Sequence, residues 1–206
     1  MAGSFQSSLQ ERLRGVERSV DRYRHLAVSL MRCSSVQKRQ LGATLYVLEK
    51  SGVRIGSPKY IINGTYGLST LNNKKHVKLG RHDIVHLRFV GKKKILNTFM
   101  LKNSLLQKWL RFSRNNGLAP FAPATVVRVF LKQEFNTSPK DYRTWRSNVY
   151  MCTTKGDKIT RLSHAASQLH HSRSISKKYY IHPDIAEIEG GGKNAEIKMR
   201  RVIKKW

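Results

Sequence analysis

The sequence predicts an α+β fold that is mainly helical, with a small antiparallel β-sheet inserted among the helices. Apolar residues recur every three or four positions before residue 50 and again after residue 101, which is the period of amphipathic helices. Between residues 53 and 101 the period changes to two, as in strands with one buried face. A hydrophobic content of 39% supports a core of ordinary size, so the chain is not a disordered basic tail.

The N-terminal part of the chain predicts two helices after a short disordered segment. Residues 1–8 are small and polar, and we expect them to be disordered. A second helix is predicted over residues 36–49, ending at Gly52. The first helix follows from an apolar stripe formed by Leu9, Leu13, Val16, Val20, Tyr23, Ala27 and Leu30.

The predicted sheet occupies the middle of the chain. Residues 66–71 are expected to form a short strand, and residues 84–90 alternate cleanly between apolar and polar side chains. Residues 95–101 can pair with that second strand, because residues 91–94 provide a glycine-led hairpin turn between them. The simplest arrangement is a small antiparallel sheet.

Helical periodicity returns in the C-terminal half. Helices are predicted over residues 105–112, 124–135 and 158–169, with a further helix beginning after Ser138. Ser138 as N-cap, Pro139 at the first position and Asp141 at the third form a capping-box start signal. Three consecutive glycines at 190–192 are expected to separate the domain, residues 9–189, from a basic tail over residues 190–206.

Charge predicts the class of partner. The chain has 40 Lys and Arg against 12 Asp and Glu, a formal net charge of +28 and a pI near 10.7. Nucleic acid is therefore the leading partner, ahead of an anionic membrane surface, because the cations are spread along the chain. No apolar run approaches a membrane span, and the N-terminus lacks a signal core. Cys33 and Cys152 lack metal-type spacing, which favours reduced thiols in an intracellular protein.

Residues 170–183 form the most informative stretch of the sequence. His171 precedes Tyr180 by nine residues, in a segment with several cations and no acid before residue 184. A phenol with a pKa of about 10 is a weak nucleophile, and it needs a base or a charge-neutralised target. Cations around a tyrosine suit attack on a phosphodiester, whose transition state gains negative charge. The alternative is a solvated helix on which aromatic and basic residues alternate.

Four other cations occupy positions from which they could bind a phosphate. Arg54 follows a helix end, and Gly56 beside it allows a close backbone approach. Lys92 lies at the hairpin tip, where a lysine could act as a general acid. Lys140 and Arg143 share one face of a capped first helical turn. Each could instead be an ordinary surface charge.

Together and in this order, these segments resemble the type IB DNA topoisomerases of the poxvirus and bacterial type. The resemblance covers about residues 36–190. It implies the catalytic-domain fold that these enzymes share with tyrosine recombinases. Its elements are residues 54–60, 66–77, 87–92, 140–145 and 171–181.

The resemblance implies roles for the catalytic candidates. Tyr180 matches the nucleophile that joins to a DNA 3′-phosphate, because it, and not Tyr179, keeps the nine-residue gap to His171 and precedes Ile-His-Pro. Arg54, Arg143 and His171 match residues that hold the non-bridging oxygens of the scissile phosphate. The implied activity is relaxation of supercoiled duplex DNA through cleavage and religation of one strand.

Further roles follow from the same resemblance. Lys92 matches the general acid that protonates the departing 5′-oxygen, and Lys140 a supporting cation. No metal and no nucleotide are implied as cofactors, in agreement with the absence of a P-loop or a carboxylate cluster from the sequence. The implied partner is double-stranded DNA, bound by a monomer in a bacterial cytoplasm or nucleoid, or in a virion or its host cell. Predicted DNA-binding residues are Lys59, Tyr60, Lys74, Lys75, Lys93, Ser176, Lys177 and Lys178.

The sequence departs from that family in its N-terminal region, and two other functions stay open. Only about 50 residues precede Arg54 and they predict helix, so we expect the family's β-rich N-terminal clamp domain to be absent. A tyrosine recombinase is one alternative, although Lys140 stands where recombinases usually have a histidine. A non-catalytic basic DNA-binding protein is the other alternative, although every expected catalytic residue type is present.

Overall fold

The computed structural model describes residues 2–192 and 194–206, with side chains from residue 6 onward. Ten α-helices and three strands are found within these residues. In chain order they are α1 (Ala2–Arg32), α2 (Val36–Ser51), α3 (Asn73–His76), β1 (Val77–Leu79), β2 (Ile84–Val90), β3 (Leu96–Lys102), α4 (Ser104–Asn115), α5 (Ala124–Phe135), α6 (Pro139–Thr153), α7 (Lys158–Gln168), α8 (Arg173–Tyr179), α9 (Pro183–Ala186) and α10 (Ala195–Lys205).

The long helix α1 packs its predicted apolar stripe against α2 and α6. Tyr23 stacks on Tyr142 of α6 with ring centroids 4.2 Å apart, and its hydroxyl donates to the Leu45 carbonyl at 2.7 Å. Helix α1 begins at Ala2, so residues 2–8 are helical and not disordered as predicted. Met1 lies outside the described residues. The prediction of disorder rested on small polar composition, which does not by itself interrupt a helix.

The three strands form one antiparallel sheet in the order β1-β2-β3. Val90 pairs with Leu96 at the hairpin and Ile84 with Lys102 at the far end, which confirms the predicted pairing. The predicted strand at residues 66–71 is wrong, because Leu68–Thr70 form a 3₁₀ turn. The Leu68 amide instead donates to the Arg54 carbonyl at 2.9 Å, which ties this turn to the loop after α2.

Several helix ends follow the predicted signals. Helix α2 ends at Gly52, whose φ of 64° is the left-handed conformation that glycine favours. Helix α6 begins with the predicted capping box, in which the Ser138 amide donates to the Asp141 carboxylate at 2.7 Å. Helix α5 has the predicted bounds. Among the described residues, no helix is long and apolar enough to cross a bilayer.

The C-terminal segment belongs to the same core, so the predicted division at residue 190 does not match the structure. Helix α10 packs on α1 and α6 through buried Met199 and Ile203. Arg200 forms ion pairs with Glu17 at 3.2 Å and with Asp21 at 2.7 Å on α1. Basic composition suggested a tail, but the apolar residues at helical spacing on its inner face determine its position.

Candidate active site

A partly open cleft of about 980 Å³ collects most of the predicted catalytic residues. Its walls are the loop after α2, the β2–β3 hairpin, α5 and the first turn of α6. It is lined by Arg54, Lys92, Lys140, Arg143 and Tyr180, which the sequence separates by up to 126 positions.

Arg143 is held rigidly in the wall of this cleft. Its side chain projects from the first turns of α6, and the residue is only 3% exposed. One guanidinium nitrogen donates to the Gly52 carbonyl and the other to the Leu169 carbonyl. These two contacts join the end of α2 to the end of α7, so the charge of Arg143 has a fixed position.

His171 links the two arginines at the centre of the site. Its Nε2 atom lies 2.7 Å from Nη2 of Arg54 and 2.7 Å from Nη2 of Arg143. Because guanidinium groups only donate, Nε2 must be the acceptor, which places the ring proton on Nδ1. Nδ1 is buried and has no partner within the described part of the chain. His171 is therefore neutral in this arrangement.

The electrostatics of the site agree with that protonation state. Burial makes the largest contribution to lowering the pKa of His171, and the neighbouring Arg143, Arg54 and His170 lower it further, to about 3. Burial and the charge of Arg54 lower the pKa of Arg143 to about 9, so Arg143 stays charged at neutral pH. Burial lowers the pKa of Arg54, whereas Tyr180 acts in the opposite direction on both arginines. Two cations facing one neutral acceptor form a site for an anion.

Tyr180 lies directly beside this trio. Its ring centroid is 4.6 Å from that of His171, and the Arg143 guanidinium carbon lies 5.8 Å from the Tyr180 ring centroid. Tyr179, at the end of α8, does not line the cleft, and its ring lies 5.3 Å from the Lys178 ammonium. The geometry therefore favours Tyr180 over its neighbour as the reactive phenol.

The backbone of Tyr180 is anchored by a residue that the sequence analysis missed. Asn148 of α6 is fully buried, and its amide donates to the Tyr180 carbonyl at 2.6 Å. Its oxygen accepts from the His182 amide at 3.1 Å. The Tyr180 amide in turn donates to the Ser176 carbonyl at 3.1 Å. Asn148 lies five positions after Arg143 on the same helix, but no sequence pattern marked it.

A close glycine contact brings the Arg54 loop against the segment before the sheet. Gly56 has a φ of 84°, and a Cβ atom built there would lie 2.7 Å from the Gly67 Cα. The prediction that Gly56 allows a close backbone approach is therefore confirmed. Any side chain at either glycine would push the loop that carries Arg54 out of position.

Lys92 enters the cleft from the hairpin. The turn is closed by the Gly91 amide, which donates to the Ile95 carbonyl at 2.8 Å. Lys93 and Lys94 adopt φ values of 63° and 57°, and the Lys94 ammonium donates to the Asn63 carbonyl. The hairpin is thereby connected to the 3₁₀ segment Pro58–Asn63, which belongs to the loop after α2.

The predicted DNA-binding residues divide into several groups. Lys59, Tyr60 and Lys93 line the cleft, whereas Lys74 and Lys75 line a separate groove. On α8, Lys177 and Lys178 are exposed, but Ser176 is completely buried, so its predicted contact with DNA is wrong. Ser176 faces inward because α8 packs on α7. Cations of the cleft that the sequence analysis missed are Lys94 and Arg128.

The cleft offers nitrogen donors and hydroxyls rather than metal ligands. No carboxylate lines it among the described residues. Within the same residues, no group of three or more His, Cys, Asp or Glu side chains could hold a metal ion. Cys33 and Cys152 are both free thiols. The positive charge of the site comes from its own side chains.

Comparison with known proteins agrees with this geometry. The family described as Eukaryotic DNA topoisomerase I, catalytic core, matches residues 9–187. The DNA topoisomerase 1 of Rabbit fibroma virus (strain Kasza) is 30% identical over 168 residues, which cover 72% of this chain and 53% of that protein. The chain thus spans about half the length of this viral relative. The matched region contains every predicted catalytic residue, and the chain belongs to the family of the DNA topoisomerase I catalytic core.

Proposed function

We propose that this chain is the catalytic domain of a type IB DNA topoisomerase, which relaxes supercoiled duplex DNA by cutting and resealing one strand. The observation that carries the proposal is the convergence of Tyr180 with two arginines that share the Nε2 atom of His171. Cations fixed around a phenol are the arrangement that phosphodiester attack requires. The family match supports the same activity.

The scissile phosphate is proposed to take the place of His171 Nε2 as the acceptor for both arginines. Arg54 and Arg143 then hold the non-bridging oxygens. The single ring proton of neutral His171 moves from Nδ1 to Nε2 by exchange with solvent, and Nε2–H then donates to the same phosphate. Because Arg143 is already held by two carbonyls, little reorganisation is needed when the negative charge increases. Lys140, exposed at the rim of the cleft, adds positive charge.

The chemical step then uses Tyr180 and Lys92. The Tyr180 oxygen attacks phosphorus, its proton passes to solvent, and a 3′-phosphotyrosyl bond forms as the bond to the 5′-oxygen breaks. Lys92 supplies a proton to that departing oxygen as general acid. The free 5′ end rotates, and religation follows by the reverse steps.

We further propose that the reaction needs neither a metal ion nor ATP. The side-chain cations of the cleft supply the charge that a metal would otherwise provide. The phosphotyrosyl bond conserves the energy of the cleaved phosphodiester. The proposed partner is double-stranded DNA, bound by a monomer, inside a bacterial cell or in a virion or its host cell.

Plasmid relaxation in EDTA without ATP is the direct test. We expect the purified chain to relax supercoiled plasmid and to leave a covalent protein–DNA adduct when quenched with detergent. Tyr180→Phe should abolish the adduct, whereas the matched Tyr179→Phe variant should keep it. An adduct that persists in Tyr180→Phe refutes the assignment of the nucleophile. Recombination between two plasmid sites in the same assay would instead indicate a recombinase.

A further inference from the structure

A second cationic surface lies beside the cleft and plays no part in the proposed chemistry. It is a groove of about 530 Å³ between α3, the sheet and α4. No acidic residue lines it among the described residues. Its cationic and titratable members are Lys74, Lys75, His76, Lys78, His86, Arg88 and Arg114.

The groove has a rigid floor. Arg114 of α4 donates to the Val77 carbonyl at 2.7 Å and to the Asn73 carbonyl at 3.1 Å. The Asn73 amide returns a hydrogen bond to the Leu110 carbonyl at 2.8 Å. The short helix α3 is therefore fixed on α4, and the cations that it carries have a defined position.

The groove concentrates charge without compensation from the protein. Lys78 stands directly opposite His86 in the β1–β2 register, and Arg88 is on the same exposed face of β2. No ion pair formed by the described residues includes Lys74, Lys75, Lys78 or Arg88. Lys78 and Arg88 are like charges on neighbouring strands, so an external anion bound in the groove would relieve their repulsion.

The groove and the catalytic cleft are neighbours. Tyr66 lines the cleft and His76 lines the groove, and their ring centroids are 4.4 Å apart. Arg88 precedes Lys92 by four residues along the β2 hairpin, a distance of at most about 13 Å in extended chain. One strand of B-DNA carries a phosphate every 3.4 Å of helix axis, so this distance spans at most about four phosphates.

We propose that this groove binds backbone phosphates of the same duplex that occupies the cleft, within about four nucleotides of the scissile phosphate. The inference rests on the proposed function and adds a second set of phosphate contacts to it. Contacts of lysine and arginine with the backbone fix register and orientation without reading the base sequence. The groove thus positions the duplex across the Tyr66–His76 pair.

The test compares two double variants that remove the same charge. Lys78→Gln/Arg88→Gln removes two cations of the groove. Lys198→Gln/Arg201→Gln removes two exposed cations of α10, which line neither the cleft nor the groove. Both are combined with Tyr180→Phe, and binding to one duplex of about 24 base pairs is measured between 50 and 200 mM salt.

The groove variant should bind less tightly at low salt and depend less on salt. Removing two phosphate contacts should reduce the slope of log K against log salt by about 1.8. When the salt concentration rises fourfold, from 50 to 200 mM, the fold-loss of affinity should be about 12 times smaller for the groove variant than for the parent. The α10 variant should keep the parental slope. A parental slope in the groove variant overturns the inference.

A methylphosphonate scan locates the contact. Neutral substitutions are placed one at a time along both strands around the cleavage site. At least one substitution within about four nucleotides of the cleavage site should weaken duplex binding by the parent several-fold and have no additional effect on binding by the groove variant. If no position shows this coupling, or if the variant loses only the capture of a second duplex, the inference is wrong.

These readouts separate the inference from the proposed function. Plasmid relaxation and the covalent adduct of the unmodified chain test the cleft alone. Plasmid relaxation by the unmodified chain, together with a parental salt slope in the groove variant, would overturn the inference about the groove and leave the proposed function of the cleft intact. A chain that binds no duplex would overturn both.

Discussion

Acid should destabilise this protein through His171. Its Nε2 accepts hydrogen bonds from Arg54 and Arg143, so a proton on that atom removes both bonds and adds a third positive charge. His170 and Tyr180 are the other titratable groups that face the ring. In the unfolded chain the imidazole binds a proton freely, so the unfolded state takes up more protons than the folded state. The free energy of unfolding therefore decreases as the pH is lowered.

The pKa shift sets the size and the window of this effect. A pKa that falls from 6.5 to about 3 on folding leaves stability unaffected above pH 6.5 and reduces it progressively from there down to pH 3. At pH 5 the full shift corresponds to a loss of about 2 kcal/mol. His171 is only partly buried, so solvent screening reduces the expected loss to about 1–2 kcal/mol.

The assay is thermal unfolding of the wild type and of His171→Gln across pH 7 to 5. Glutamine can still accept a hydrogen bond from an arginine but does not titrate in this range. The other histidines are present in both proteins, so the difference between the two profiles isolates His171. A difference of about 1–2 kcal/mol corresponds to about 2–8 °C in the midpoint of unfolding.

One result would refute this reasoning. Parallel pH profiles for the wild type and His171→Gln would mean that the imidazole is not held neutral between the two arginines. The proposed exchange of Nε2 for a phosphate oxygen would then lose its structural basis.

Three more variants test separate parts of the structure. Lys92→Ala should slow cleavage by about 10²–10⁴-fold, and a 5′-sulfur leaving group should restore the rate because sulfur departs without a proton; without rescue, Lys92 is not the acid. Asn148→Ala leaves the Tyr180 carbonyl and the His182 amide without a partner, so we expect a stability loss of about 1–3 kcal/mol in urea unfolding together with slower cleavage; normal cleavage would contradict its positioning role. Met199→Ala should cost about 2–5 kcal/mol in the same assay, because this side chain is fully buried on the inner face of α10; a loss below about 1 kcal/mol would mean that α10 is not part of the core.

Much of the fold could be predicted because local signals and tertiary packing agree. The capping box at Ser138, the left-handed Gly52 and the glycine-led hairpin each specify their own geometry. Where the two disagreed, the sequence misled. Residues 66–71 have β-type alternation, yet Leu68–Thr70 form a 3₁₀ segment next to the close contact of Gly56 and Gly67.

The site was predictable to the extent that its residues carry unusual chemistry. The spacing of His171 and Tyr180 and the cations at element ends pointed to one cleft, and the structure brings them together there. Asn148 and Arg128 were missed because their roles depend on contacts between distant segments. Ser176 was misassigned, since a short cationic segment does not reveal which of its faces is buried.

The Asn148 anchor has a mechanical consequence for the broken strand. The same helix, α6, supplies both Arg143 and the amide that holds the Tyr180 main chain. The main chain of the proposed nucleophile and the proposed charge-stabilising cation are therefore held by one helix, so a displacement of α6 should shift both together. A DNA 3′ end attached to Tyr180 would then keep its position relative to Arg143 while the free 5′ end rotates. The returning 5′-hydroxyl would meet the phosphotyrosyl bond in the same place.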